Sequence, residues 1–290
     1  MSYYGHELKF GTFITPTSVN PHRVVELAVL SDELGFDLIT FQDHPYQPAL
    51  LDAWSLLAYV AARTERAHLS ANVTNLPLRQ PVVIARSSVT IDQLSGGRFE
   101  LGLGAGGFWS AIEAVGGRRL TPGQAVDALE EAIAVIRAIW AVGEPGGARV
   151  DGEFYRVAGA KRGPASPHPI GISIGAYKPR MLRLTGRAAD GWLPSFGYLT
   201  SLDALSEMNT RIDDGALEAG RAPADIRRWL NIGAADATIQ RLVELAVDYG
   251  MSGFILAGDD ASMMEYFAAE VAPAVRDQVA AARGRTIQAR

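Results

Sequence analysis

Two ionisable residues, Asp43 and His44, stand side by side one residue beyond residues 36–41, a largely apolar stretch that predicts a buried strand. A histidine at a strand end can give or take a proton near neutral pH, and a neighbouring aspartate can bias its charge or bind a ligand itself. Pro45 restricts His44 to extended backbone geometry. The pair could instead serve the fold, with Asp43 capping the next turn and His44 packed beneath it. Acid–base chemistry and a structural turn both fit these residues.

A second candidate is RFELGLGAGG, residues 98–107, which alternates like a strand and then replaces side chains with glycine. Glycine at a strand end lets a ligand approach the backbone closely, or lets φ become positive. A dinucleotide-binding fingerprint would open directly into a helix after the first strand, whereas here the strand is the fourth and the bulky Phe108 and Trp109 follow it. The stretch therefore predicts contact with a flat or phosphorylated ligand, or a tight corner without one.

A third candidate is the stretch Gly175-Ala176-Tyr177-Lys178, which joins a predicted strand to a helix. Free backbone N–H groups at the helix start, with Lys178 nearby, can form a phosphate cradle. Arg180 and Arg183 follow within the first turns and could reinforce the cradle or be solvated.

Large rings are predicted near the same strand ends. Such rings can form an apolar pocket for a ring-shaped cofactor or substrate, although plain packing is the competing interpretation. The predicted pocket residues are Tyr46, Phe108, Trp109, Trp192 and Phe196, with Tyr198 as a further ring nearby.

A catalytic metal would be a competing use of Asp43 and His44. Of the five histidines only His44 falls at the C-terminal end of a predicted strand, and the first strand ends in Phe13-Ile14-Thr15 without paired histidines. Cysteine is absent, which excludes disulfides, thiolate nucleophiles and iron–sulfur clusters. The sequence thus predicts no metal site, and any redox chemistry requires a bound cofactor.

The composition narrows the possible partners. A formal net charge of −5 gives no reason to expect nucleic acid or an anionic membrane. No apolar run approaches the roughly 20 residues that span a bilayer, and the polar start MSYYGHELK does not resemble a signal peptide. We expect a cytoplasmic protein that acts on a small molecule.

The elements that must position these residues alternate regularly, with eight predicted strands and eight helices. This alternation implies a parallel sheet, and eight units in 290 residues favour a closed (β/α)8 barrel as a single domain, residues 1–290. The functional residues would then gather at the C-terminal ends of the strands. The predicted strands are 8–14, 36–41, 68–73, 98–103, 170–174, 191–193, 226–232 and 253–256.

Local signals bound several of the helices. Asn20, Asp52 and Thr121 are predicted N-caps, and Gly96-Gly97 should end the third helix. Residues 143–169 depart from the rhythm and predict an insertion after the fourth βα unit. Within it, ARVDGEFYRV predicts a hairpin whose Asp151-Gly152 suits a type I′ turn.

With these pieces placed, the chain resembles the luciferase-like monooxygenase family, (β/α)8 barrels that use FMN or the deazaflavin coenzyme F420. The Asp43-His44 pair is similar to that of the deazaflavin-dependent branch, which includes sugar-phosphate and tetrahydromethanopterin dehydrogenases. The resemblance covers most of the chain and rests on FQDHPY, LPLRQPVVIARSSVTIDQLSGGRFELGLGAG, GAYKPRMLRLTGRAADGWLP and YGMSGFILAGDD.

The resemblance implies a site. Asp43 and His44 would face the deazaflavin ring, and the bond between Asn72 and Val73 would be a non-proline cis peptide that supports it. The ribityl chain and phosphate would meet backbone groups of Ala105, Gly106, Gly107, Gly175, Ala176 and Tyr177. Family members are often dimers, so a homodimer is expected.

The resemblance also implies a mechanism. A hydride would move between the coenzyme and an organic substrate held against Phe108, Trp109 and Trp192. His44 would supply or accept the proton, while Asp43 orients His44 or a ring substituent.

One position departs from the branch. In its sugar-phosphate dehydrogenases an acidic residue follows the glycine run as the proton donor, whereas this chain has Gly107, and the nearest downstream carboxylate is Glu113. A sugar-phosphate substrate is therefore not supported. An FMN-dependent monooxygenase and a non-catalytic flavin-binding barrel are the alternative interpretations.

Overall fold

The computed structural model describes residues 4–288. Its strands are β1 Lys9–Ile14, β2 Leu38–Phe41, β3 His68–Ala71, β4 Thr74–Asn75, β5 Leu101–Gly104, β6 Ala148–Asp151, β7 Arg156–Ala160, β8 Ile172–Ile174, β9 Gly191–Trp192, β10 Arg227–Ile232 and β11 Gly253–Ala257. Its helices are α1 Pro21–Glu33, α2 Ala53–Ala61, α3 Pro81–Ser95, α4 Trp109–Ala114, α5 Pro122–Trp140, α6 Pro179–Ala188, α7 Asp203–Glu218, α8 Ile239–Val247, α9 Ala261–Tyr266 and α10 Ala272–Gln288.

Nine strands form one parallel sheet in the order β3-β2-β1-β11-β10-β9-β8-β5-β4. Its two ends, β3 and β4, nearly adjoin in sequence: β3 lies within the predicted third strand, β4 begins directly after that strand's predicted end, and the cis peptide bond Asn72–Val73 lies between them. A parallel bridge between Leu69 and Phe99 joins β3 to the segment that enters β5. The sheet therefore curls round on itself, and the predicted (β/α)8 barrel is confirmed.

The barrel has two apolar layers. The main core lies where the outer faces of the strands meet the helices, and it contains Phe10, Leu69 and Leu103. A separate buried cluster of Leu38, Leu193, Trp229 and Ile255 fills the interior. Alternate residues of a strand face opposite sides, so each strand contributes to both layers. The filled interior closes the barrel beneath its mouth.

The predicted helix ends are confirmed because they depend on local chemistry. The side chain of Asn20 accepts from Arg23 N, and that of Asp52 accepts from Ser55 N. Thr121 and Gln124 exchange side-chain and backbone hydrogen bonds in a capping box. Gly96 takes the left-handed conformation that ends α3.

The segment between α5 and β8 forms a separate two-stranded antiparallel sheet, β6-β7, outside the barrel sheet. The predicted tight turn at Asp151-Gly152 is wrong, because Asp151 pairs with Arg156 and residues 152–155 form the loop. The carboxylate of Glu131 on α5 holds this loop by accepting three backbone N–H groups, those of Glu153, Phe154 and Tyr155. A contact from outside the hairpin thus overrides the local turn preference.

The short helix α4 begins at Trp109, five residues after the end of β5. Within residues 4–288, no helix combines the length and apolar character needed to cross a membrane.

Candidate active site

A cavity of about 830 Å³ opens where the C-terminal ends of the barrel strands meet. The fold brings most of the predicted site residues to its wall. Those in the lining are Asp43, His44, Tyr46, Asn72, Val73, Ala105, Gly106, Gly107, Phe108, Trp109, Gly175, Ala176, Tyr177 and Lys178.

Two predicted pocket rings, Trp192 and Phe196, are not in this lining. Trp192 is fully buried in the outer core, where its indole N–H donates to the carbonyl of Ala176 at 2.9 Å. The next residue, Leu193, faces the cavity instead, because consecutive strand residues point to opposite sides. Phe196 packs against the core, while Tyr198 from the same turn lines the mouth. The predicted roles of Trp192 and Phe196 in the pocket are therefore corrected.

Asp43 forms an ion pair with Arg79, a residue that sequence reasoning missed. Its buried carboxylate accepts from Arg79 Nε at 3.0 Å and Nη2 at 2.9 Å, and from the backbone N–H of Asn75 at 3.0 Å. Arg79 also bonds Asp52, the cap of α2, at 2.7 Å. No hydrogen bond joins Asp43 to His44 within the described residues, so Asp43 does not orient the histidine directly. It fixes the segment that follows β3.

His44 has a different partner, the neighbouring ring of Tyr46. Its Nδ1 lies 2.6 Å from the Tyr46 hydroxyl, and the edge of Phe108 packs against the same imidazole. Burial lowers the pKa of His44, and the nearby charge of Asp43 offsets this only in part. Burial and the charge of Asp43 both raise the pKa of Tyr46. At neutral pH the site therefore holds a neutral imidazole beside a protonated phenol.

Asn72 is held by an amide on the opposite side of the barrel. Its Nδ2 donates to Asn231 Oδ1 at 2.7 Å, and Asn231 Nδ2 donates back to Asn72 Oδ1 at 3.2 Å. Asn231 also donates to Ser195 Oγ at 3.1 Å. The sequence signal for Asn231 is an amide among the apolar residues at the end of β10. The cis bond that the family resemblance implied between Asn72 and Val73 is present.

The glycines of β5 allow the chain segment 71–73 to pack closely against this strand. A Cβ on Gly104 would lie 2.6 Å from Cγ2 of Val73, and one on Gly102 would overlap the carbonyl oxygen of Ala71. Gly107 differs, because a Cβ there would meet no described atom within 4 Å. The first glycines are thus required by packing, whereas the last faces open space in the cavity.

The opposite wall is formed by residues 175–178. The Tyr177 hydroxyl accepts from the backbone N–H of Ser195 at 2.7 Å, which ties this wall to the end of β9. Lys178 is exposed at the N-cap position of α6, and its side chain makes no capping hydrogen bond to the backbone of that helix. Arg180 lines the cavity but pairs with Asp127 and donates to Gly123 O.

Two other charged residues lie apart from the cavity. Arg183 pairs with Glu218 and Asp214, so it does not reinforce the predicted cradle. Glu113 pairs with Arg119 at 2.5 Å and is not in the lining. It does not replace the carboxylate that Gly107 lacks.

The amino-acid sequence of this chain is similar to those of known enzymes. The F420-dependent glucose-6-phosphate dehydrogenase of Nocardia farcinica is 33% identical over 239 residues, which cover 78% of this chain and 68% of that protein. The 5,10-methylenetetrahydromethanopterin reductase of Archaeoglobus fulgidus is 31% identical over 215 residues, which cover 74% and 60%.

A solved structure shows the same fold. An F420-dependent secondary alcohol dehydrogenase, in complex with an F420–acetone adduct, superposes with a TM-score of 0.81 over 93% of this chain and all of that one. At 18% identity this likeness concerns the fold alone. The sequence profile of luciferase-like monooxygenases matches residues 8–288, nearly the whole chain. The protein is therefore a member of the luciferase-like monooxygenase family.

Proposed function

We propose that this enzyme is a deazaflavin (coenzyme F420)-dependent oxidoreductase that transfers a hydride between the coenzyme and a small organic substrate at the barrel mouth. The observation that carries the proposal is the His44–Tyr46 pair at the edge of a cavity walled by glycine-rich backbone. The names of the relatives support it, since those of Nocardia farcinica and Microbacterium testaceum are both F420-dependent dehydrogenases.

The residues present fit a flat, phosphorylated coenzyme. The cavity volume of about 830 Å³ lies within the usual range for small-molecule sites. Thr74 Oγ1 and Asn75 Oδ1 are buried without a hydrogen-bond partner among the described residues, and both residues line the cavity. The open space beside Gly107 leaves its backbone accessible to a ligand.

When bound, the deazaflavin would supply the site that accepts or gives up the hydride. The backbone of 105–107 and of 175–177 would hold the ribityl chain and the phosphate. Lys178, at the start of α6, would add positive charge near the phosphate. Phe108 and Trp109 would contact the organic substrate.

The proton that accompanies the hydride would pass through His44. Tyr46 keeps its hydroxyl proton at neutral pH, so the 2.6 Å hydrogen bond between its hydroxyl and His44 Nδ1 can form with either group as the donor. When Tyr46 donates, His44 Nε2 carries a proton and can pass it to a substrate oxygen while the Tyr46 hydroxyl proton moves to Nδ1, after which solvent reprotonates Tyr46. When His44 Nδ1 donates to Tyr46, Nε2 is free to accept a proton. One pair of side chains can thus serve either direction of the reaction.

Titration of the purified protein with F420 and, separately, with FMN tests the proposal through fluorescence quenching. We expect saturable quenching with F420, about tenfold weaker in Lys178→Ala because one charge-assisted phosphate contact is lost. Lys161→Ala is the matched control, because Lys161 is equally exposed and lies outside the cavity lining.

Preferential binding of FMN, with oxygen consumption on reduction, would favour the monooxygenase interpretation instead. Binding of F420 without turnover of a broad panel of alcohols, aldehydes and ketones would indicate a non-catalytic barrel.

The substrate is proposed to be uncharged. Gly107 occupies the position where the sugar-phosphate dehydrogenases have an acidic residue. The exposed rings of Phe108 and Tyr198 give the mouth of the barrel an apolar rim. We expect glucose 6-phosphate to be turned over at least tenfold more slowly than the best neutral compound in the panel. Faster turnover of the sugar phosphate would refute this part of the proposal.

A homodimer in the cytoplasm is a further part of the proposal. Light scattering coupled to size-exclusion chromatography measures the first part directly, and a monomer mass would refute it.

A further inference from the structure

Three potential metal ligands meet at the N-terminal face of the barrel, opposite the cavity. His68 begins β3, Glu100 directly precedes β5, and His168 lies in the segment that leads into β8. Glu100 Oε1 is 3.3 Å from His68 Nδ1 and 3.6 Å from His168 Nε2. One ligand atom from each of the three residues lies within 4.8 Å of the others. The cluster forms only on folding, since its members are far apart in sequence.

Three of the four imidazole nitrogens of His68 and His168 lack a correctly aligned hydrogen bond among the described residues, although carboxylate oxygens lie near them. His68 Nδ1 and both ring nitrogens of His168 are shielded from solvent, and none has a correctly aligned partner among the described residues. Buried polar atoms in folded proteins are normally paired, so each exception requires an explanation. A nitrogen close to a carboxylate oxygen, yet not aligned to donate to it, can direct its lone pair at an ion between the two.

The carboxylates around the cluster are arranged to orient such ligands. Glu100 Oε2 accepts from the backbone N–H of Gly171 at 2.8 Å, which leaves Oε1 directed at the two histidines. On the far side of the His168 ring, Nδ1 lies 2.8 Å from Oδ1 of buried Asp92. That carboxylate accepts from Phe99 N at 3.0 Å. A carboxylate behind a ligating imidazole is the usual outer partner in metal sites.

We propose that His68, Glu100 and His168 bind a divalent transition-metal ion, with Zn²⁺ as the best fit. Two imidazoles and one carboxylate form a ligand set that Zn²⁺ commonly takes, with water in the fourth position. Tetrahedral Zn²⁺ has metal–ligand bonds of about 2.0–2.2 Å, which places neighbouring ligand atoms about 3.3–3.6 Å apart, in agreement with the two separations between Glu100 Oε1 and the histidine nitrogens. A cavity of about 190 Å³ beside His68 and Glu100 leaves room for the water.

The role of the ion would be structural. The site lies at the face of the barrel where stability, rather than catalysis, is determined. His168 belongs to residues 161–169, which return the chain from the β6-β7 hairpin to the barrel. Gln93 and Arg86 of α3 hold this segment through its backbone carbonyls. The ion would attach the end of the segment to β3 and β5.

Zn²⁺ binding to tag-free, chelator-treated protein tests the proposal by calorimetry and by thermal unfolding. We expect one equivalent of Zn²⁺ per chain. At about 100 times the Kd, Zn²⁺ should raise the midpoint of unfolding by roughly 5 °C. Co²⁺ in its place should give the visible absorption bands of a tetrahedral N/O site.

Three variants and one control make the test specific. His68→Asn, Glu100→Gln and His168→Gln should each weaken Zn²⁺ binding at least tenfold and abolish the thermal shift. Glu100→Gln keeps an oxygen for the N–H of Gly171, so loss of binding in this variant is not a folding defect. His22→Ala removes an exposed histidine of α1 and should bind like the parent protein.

Absence of stoichiometric binding to the parent protein would overturn the proposal, and so would equal binding by the parent, Glu100→Gln and His168→Gln. In either case the three side chains contact one another without an ion between them. This result does not depend on F420 binding, which involves the other end of the barrel.

Discussion

The two ends of the barrel differ in how fully their buried polar side chains are hydrogen-bonded. At the base, buried Arg98 donates to the carbonyl oxygens of Ala61, Thr64 and Ala67, so folding supplies acceptors for its N–H groups. At the mouth, Thr74 and Asn75 leave oxygens without partners among the described residues. Folding alone thus pairs most polar groups of the base, whereas the mouth keeps oxygens that a ligand could pair.

Two local features qualify this contrast. At the mouth, Asp43 is fully paired with Arg79 and Asn75, because its task is to hold the segment after β3. At the base, the histidine nitrogens near Glu100 lack aligned partners, which is why we propose a metal ion there. If the contrast is correct, changes at the base should alter stability and changes at the mouth should alter activity.

The largest effect is expected for Arg98→Ala. Removing the guanidinium leaves several buried carbonyl oxygens without a donor, which should lower the free energy of unfolding by about 3 kcal/mol or more. Urea denaturation measures this change. Arg23→Ala is the matched control, because Arg23 pairs with Glu26 at the surface and should contribute less than about 1 kcal/mol. If Arg98→Ala had the same free energy of unfolding as the parent protein, the proposed difference between the two ends of the barrel would be refuted.

His44→Ala should have the opposite profile. Loss of acid–base assistance should reduce turnover by about 10²-fold, with coenzyme affinity and unfolding free energy nearly unchanged. Steady-state kinetics on the best substrate of the panel measures the effect, with His22→Ala as the control. Unchanged turnover would rule out the proposed role of His44.

The pH dependence of turnover is a second test of the proposed proton transfer by His44. Because burial lowers the pKa of His44, the neutral base persists below the ordinary value, and the rate in the proton-accepting direction should fall only as pH drops through that lowered pKa. Tyr46→Phe removes the hydrogen-bond partner of His44 Nδ1 and should shift the pH at which the rate falls. A purely structural role for Tyr46 would leave that pH unchanged.

Gly102→Ala and Gly107→Ala separate packing from ligand contact within one glycine run. A methyl on Gly102 overlaps the Ala71 carbonyl, so the free energy of unfolding should fall by about 2 kcal/mol. A methyl on Gly107 meets open space, so stability should stay nearly unchanged while coenzyme affinity falls. Thermal unfolding and coenzyme titration of both variants distinguish the two effects. Equal loss of stability would show that Gly107 also serves packing.

The smallest effect is expected for Asp32→Asn at the base. Burial raises the pKa of Asp32, but the backbone N–H groups of Ala67, Glu65 and Arg66 outweigh it, so the net pKa is lowered. A lowered carboxyl pKa contributes stability above its ordinary value of 3.8, and this contribution is lost as pH falls through the folded-state pKa.

Asp32→Asn should therefore lower the free energy of unfolding by about 1–2 kcal/mol at pH 7, with the difference narrowing below pH 4. Urea denaturation at both pH values measures it. A difference independent of pH would show that the charge of Asp32 is not what stabilises the segment.

Several site residues could be placed from sequence because their position depends on the order of elements. His44 and residues 104–107 follow predicted strands, and parallel strands in a barrel bring their C-terminal ends to one mouth. The caps at Asn20 and Thr121 were equally accessible, because each bonds a backbone N–H three residues away.

Other residues were misplaced or missed for identifiable reasons. Trp192 was assigned to the pocket, yet its strand turns this residue outward and Leu193 inward. Asn231 was missed because its partner, Asn72, is 159 positions away. Asp43 was paired with its neighbour His44 in the prediction, whereas Arg79 reaches it across a loop.

The sequence by itself determined the alternation of strands and helices, the barrel and the mouth at which the polar residues meet, because local propensity and chain order are sufficient for these. Only the tertiary structure decided which partner each polar group has. The pairs Asp43–Arg79, Asn72–Asn231 and Glu100–His168 all cross between elements, and such contacts depend on side-chain direction and separation after folding.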